Sequence, residues 1–185
     1  MLSTTKKSVW LLFLFIPPIH AWGQEHASPY AGEQAREIKA LSADEVRAYL
    51  AGEGLGLAKA AEINGYPGPL HVLQLAEQLH LTEAEKADTE QLRDVMLKDA
   101  TRLGKLIVEK ESDLDKLFAG KKIDEAQLRS RVAEIAGLQG ELRVVHLRAH
   151  LEMMRIFTPG QIKRYAELRG YQGVDAVHNH QQHGN

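Results

Sequence analysis

Two long runs of apolar residues at alternating three- and four-residue spacing constrain this chain more than any other feature. Between Glu83 and Phe118 the series is Leu92, Met96, Leu103, Leu106, Ile107, Leu114 and Leu117. Between Glu125 and Ile156 it is Leu128, Val132, Ile135, Leu138, Leu142, Val145, Ala149, Met153 and Ile156. That spacing keeps one face of an α-helix apolar, and at 1.5 Å per residue each helix would be roughly 50 Å long. The link from Ala119 to Ile123 is short enough to fold the two into an antiparallel hairpin. The first arm carries an acidic excess and the second a basic one, which suits antiparallel neighbours. Two narrow stripes bury too little surface to be stable alone. Short N-terminal helices, a final helix from Pro159 to about Arg169 and a second copy of the chain are therefore expected to cover the remainder, giving an all-α homodimer.

Helix starts can be read directly. In SADE, Ser42 can accept from the backbone N–H three residues on while Glu45 reaches back, a reciprocal capping box. TEAE (Thr82 to Glu85), DEAQ (Asp124 to Gln127) and TPGQ (Thr158 to Gln161) repeat it, the last with Pro159 at the first helical position. The segment NGYPGP, Asn64 to Pro69, predicts a turn between two helices. The three glycines of GEGLG, residues 52 to 56, predict a bend, because each weakens a helix by about 1 kcal/mol.

The opening MLSTTKKSVWLLFLFIPPIHAWGQ has two lysines, an apolar run from Val9 to Ile16 and a small-residue pattern at Ala21-Trp22-Gly23. It predicts a secretory signal over residues 1–23, cut after Gly23. The run is too short to span a bilayer, which takes about 20 residues, so an exported protein without stable membrane insertion is expected. Residues 24–80 then hold short helices and turns, 81–170 the hairpin and final helix, and 171–185 a disordered, histidine-containing tail. The chain has no cysteine, so any metal must be held by His, Met, carboxylate or backbone. The 23 Lys+Arg against 25 Asp+Glu, without a basic block, argue against nucleic acid as a partner. No nucleophile, base and orienting group assemble, and no cofactor fingerprint occurs, so an enzyme is not expected and no cofactor is required.

HLRAHLEMM, residues 146 to 154, is the candidate site. His146, His150 and Met154 climb one side of a helix, fanning outward from the apolar stripe. A hairpin turning near residue 121 would bring Met96, with Glu90 and Asp94, opposite the histidines as further donors. Such a mixed N, O and S shell suits a borderline or soft divalent transition metal: Ni, Co, Cu or Zn. The plainer alternative makes His146 a histidine at the core edge, His150 a solvated one and Met154 a packing residue. The zinc-protease pattern fails because Leu147 stands where its glutamate would follow the first histidine. Cleavage after Gly23 would also begin the chain Gln24-Glu25-His26. A third-place histidine can join the amine and two amides around square-planar Cu(II) or Ni(II). His178, His180 and His183 could scavenge metal weakly, whereas His71 and His80 read as ordinary histidines near helix ends.

LTEAE at 81 to 85 and FTPGQ at 157 to 161 resemble the paired LTxxQ motifs of the Spy/CpxP family of periplasmic proteins, which flank a long helical hairpin in the same way. The resemblance covers roughly residues 70 to 170. Glu85 replaces the first Gln and Phe157 the second Leu. Glu serves a capping box as well as Gln, and Phe157 can staple against Ile162. The blocks SPYAGEQAREIKALSADEV and AKAAEINGYPGPLHVLQLAEQL also look like an N-terminal extension of relatives in the heavy-metal-sensor branch. The resemblance implies a periplasmic, non-enzymatic stress-response protein. One branch comprises ATP-independent chaperones that cradle unfolded clients as dimers or restrain an envelope-stress sensor. The other binds nickel, cobalt or zinc through His, Met and carboxylates near the hairpin, and acts as a sensor or resistance protein with a sensor or anti-sigma partner.

Overall fold

A computed structural model describes residues 28–171. Residues 28–32 belong to a separate unit, described only as a turn in which Ala31 N–H donates to the Ser28 carbonyl at 2.9 Å. From Glu33 onward the chain forms one unit, and every regular element among its described residues is helical. A short 3-10 turn at Glu33–Ala35 precedes α1 (Ala43–Ala51), α2 (Lys59–Ile63), α3 (Pro69–Gln74), α4 (Glu83–Ala119), α5 (Glu125–Ile156) and α6 (Pro159–Leu168). The expected hairpin is α4 packed on α5, with the short helices against it.

All four capping boxes form. Ser42, Thr82, Asp124 and Thr158 each accept from the N–H three residues on, and Glu45, Glu85, Gln127 and Gln161 each return the bond. A cap of this kind contributes about 1 kcal/mol, and each satisfies donors the helix itself cannot. The glycine bend ends α1: Gly52 takes the left-handed cap at φ +70°, with Leu55 and Gly56 also at positive φ before α2 begins. The turn cluster separates α2 from α3, with Gly68 as cap and Pro69 in the first turn.

Two apolar clusters hold the unit together. At the open end of the hairpin Val72, Leu79, Met153, Phe157 and Tyr165 are buried, and Ile162 packs against them, the partner expected for Phe157. Midway, Ala100, Leu103, Ile107 and Leu142 form the second cluster, with Tyr49 and Leu57 covering it. The Val, Leu, Ile, Phe and Met side chains among them each contribute about 1.5–3 kcal/mol when fully buried. Beyond Ile107 and Ile135 the arms run to their turn with no buried apolar residue among them. That end is tied by Lys110 to Glu134 at 2.8 Å and by Lys39, whose backbone N–H and Nζ reach Asp115 at 3.3 and 3.2 Å. The α4–α5 ion pair has the opposite polarity to the net charges of the two arms, and most other pairs lie within one helix, where they contribute little.

Candidate functional site

The site lies where the segment from Ala51 to His71 crosses the hairpin. A cavity of about 770 Å³ opens there, and its walls include His146, His150, Met96, Leu97, Arg93 and Glu62. Glycine makes the crossing close. A Cβ on Gly68 would stand 2.9 Å from His150 Cε1 and 3.1 Å from Glu62 Oε2, and one on Gly54 would touch the His146 ring at 3.8 Å. The bend and the turn cluster thus lay backbone, not side chains, over the two imidazoles.

The two rings are held differently. His150 is buried and its Nδ1 lies 2.9 Å from the Tyr66 carbonyl, with Glu62 Oε2 at 3.9 Å. A carbonyl only accepts, so Nδ1 carries the hydrogen, which fixes the tautomer whose lone pair is at Nε2. Histidines that ligate metals are commonly oriented by a bond of this kind. His146 is only 4% exposed, and its Nε2 is buried without a hydrogen-bond partner. Burial, and then the neighbouring His150, hold its pKa below the ordinary histidine value. The ring is therefore neutral at pH 7, with its Nε2 unpartnered.

Glu62 fastens the crossing segment to the far end of the chain. Tyr165 Oη donates to Glu62 Oε1 at 2.6 Å, Arg169 Nε at 3.1 Å and Tyr171 Oη at 3.3 Å. Tyr165 Oη also accepts from Gly68 N–H at 3.3 Å, and burial raises its pKa well above that of a free phenol. One carboxylate thus joins α2, α6 and the residues that follow α6.

Of the sequence-derived candidates, His146, His150 and Met96 come together on one cavity, across the hairpin as the antiparallel register requires. Glu90 and Asp94 are exposed and Met154 is half-buried, and none of the three lines it. Glu90 is six residues from Met96, about 240° round α4, which turns it away. His150 is buried rather than solvated, because the crossing segment covers it. Among the described residues no three His, Asp or Glu side chains are grouped as a metal would need; Met96, Glu53 and Glu62 are further donors that line the cavity of the two histidines. Glu62 was missed; it is 84 residues or more from His146 and carries no spacing signal. His26, the tail histidines and the signal segment lie outside the described residues. His71 Nδ1 pairs with Gln74 Oε1 at 3.0 Å, an ordinary intrahelical contact.

The two LTxxQ-like segments meet. Gln161 Nε2 donates to both oxygens of Glu85, at 3.1 and 3.2 Å, so the start of α6 is bonded to the start of α4. The Thr82 backbone N–H, followed by the Gln161 and Thr82 side chains, holds the Glu85 carboxyl below its usual pKa. No family model, curated protein or solved structure matches the chain.

Proposed function

We propose that this chain is a non-enzymatic, exported stress-response protein of the Spy/CpxP type, and that its cavity captures a soft transition-metal ion. The observation that carries the metal reading is His146, buried and neutral with its Nε2 unpartnered, which lines the same cavity as a tautomer-fixed His150 and Met96. An orphaned ring nitrogen costs about 1–3 kcal/mol unless something occupies it. A donor set of two imidazoles and one thioether favours copper, above all Cu(I), over zinc, cobalt or nickel, and the Glu62 carboxylate on the same cavity is engaged by Tyr165, Arg169 and Tyr171.

Titration of the mature protein with Cu(I) under reducing conditions, and with Cu(II), Ni(II), Co(II) and Zn(II), tests this. Binding should be tightest for Cu(I). It should be lost in His146→Leu/His150→Leu, weakened in Met96→Leu, and kept when His178, His180 and His183 are changed to serine. Binding that disappears only with the tail histidines would refute the cavity reading.

A second reading, chaperone action or restraint of an envelope sensor, is favoured by the roughly half-exposed Val95, Phe118, Val132, Val144 and Leu151 on the hairpin. Arg129, Arg131, Arg143, Arg148 and Arg155 on α5 could add charge steering towards unfolded clients. Suppression of client aggregation, undiminished by a chelator and lost on Val144→Ser/Leu151→Ser, would support it. No suppression at stoichiometric protein would exclude it.

A further inference from the structure

Arg93 differs from the other arginines of the described residues. Arg36, Arg131 and Arg169 are half-buried too, and each is paired with a glutamate. Arg143 and Arg148 are unpaired but exposed. Arg93 alone is half-buried with no ion pair or hydrogen bond at its guanidinium. A guanidinium keeps its charge and five donors at any pH a protein meets, and withdrawing it from water without an acceptor is unfavourable unless an anion joins it.

The surroundings of Arg93 indicate the kind of anion. Arg93, Met96 and Leu97 share one face of α4 at three- and four-residue spacing, and all three line the cavity of about 770 Å³. On the crossing segment Leu55 and Leu70 line the same cavity, 43% and 44% exposed. That volume lies within the range of sites for small organic molecules, about 300–1,000 Å³. It is far more than an ion fills, the share of one water being about 30 Å³. We propose that the cavity binds an amphipathic monocarboxylate of fatty-acid type, with its carboxylate on Arg93 and its alkyl chain along Leu55, Leu70 and Leu97.

Charge balance selects a single negative charge. Beside the histidines, the charged side chains on the cavity are Glu53, Lys59, Glu62 and Arg93. Glu62 is neutralised by Arg169 and also accepts from Tyr165 and Tyr171. Glu53 and Lys59 are exposed and unpaired, and their opposite charges offset each other. The charge left over is that of Arg93. A carboxylate answers it with two parallel bonds to the planar guanidinium fork, whereas a phosphate would bring a second negative charge towards Glu53 with no further cation to meet it.

The inference stands apart from the metal reading, because neither imidazole is asked to hold the carboxylate. Calorimetric titration of the full mature chain with hexanoate, octanoate and decanoate tests it, below micelle formation and with a chelator present so that no metal contributes. Affinity should rise up to about fourfold per added CH₂, the transfer gain of one buried methylene. Decanol, which lacks the charge, should bind at least about tenfold more weakly than decanoate. Arg93→Gln should remove that preference for the acid over the alcohol, whereas Arg143→Gln, at an unpaired arginine on α5, should keep it. Leu70→Ser, at a position too exposed to disturb folding, should weaken the whole series. Circular dichroism should show all three variants as helical as the wild type. Absence of saturable binding overturns the proposal. So does equal affinity for decanoate and decanol, or a decanoate affinity indifferent to Arg93→Gln.

Discussion

His146 carries a cost at one atom. Its Nε2 is buried and unpartnered, so an apolar replacement of similar size should be neutral or stabilising by about 1 kcal/mol, the opposite of an ordinary core truncation. His146→Leu should therefore keep or raise the urea midpoint while abolishing Cu(I) binding. The pH dependence has a definite sign. The folded pKa is depressed, so the stability associated with the neutral ring is complete above the ordinary value of about 6.5 and is lost as pH falls towards the folded value. Comparing urea midpoints at about pH 7.5 and about pH 5, the wild type should lose more stability than His146→Leu. Equal losses would mean that His146 does not titrate as its burial requires. The histidine pair was legible in the sequence because four-residue spacing fixes a shared helix face. Met96 followed from the hairpin register. Glu62 was not legible, since an isolated acidic residue before a turn says nothing about an aromatic hydroxyl a hundred residues away.

Between helices, closeness depends on single glycines. A Cβ at Gly104 on α4 would come within 2.0 Å of the Tyr49 carbonyl of α1, with no flexible side chain to yield. Gly104→Ala should thus lift α1 from α4 and cost about 1–3 kcal/mol, read as a lower thermal midpoint. Gly160→Ala in the first turn of α6, where the nearest atom is Thr158 Oγ1 at 4.0 Å, should be neutral or gain up to about 1 kcal/mol. If both shift the midpoint alike, the contact is not what Gly104 provides. The ends of α4, α5 and α6 were legible because their caps are local, three residues from donor to acceptor. How α1 crosses α4 was not, because Gly104 in the sequence reads only as a weak point in a helix.

Across the whole unit, polar bonds join the N-terminal segment to the rest at two places, Lys39 to Asp115 and the Glu62 cluster, beside the packing of α1 and α3 on the hairpin. Tyr165→Phe removes a 2.6 Å bond to Glu62 and leaves Gly68 N–H without its acceptor. Hydrogen exchange and proteolysis should then quicken in residues 52 to 74, while the middle of α4 and α5 keeps its protection. A uniform loss of protection would mean that segment and hairpin open together. The hairpin was foreseeable from periodicity, whereas the cavity was not, because it arises from contacts between segments far apart in sequence. The bond from Gln161 to Glu85 has an electrostatic consequence. The first turn of any α-helix carries a partial positive charge from its free N–H groups. With the starts of α4 and α6 held together, one carboxylate answers two such ends, so Glu85 is the residue whose charge lets them lie side by side.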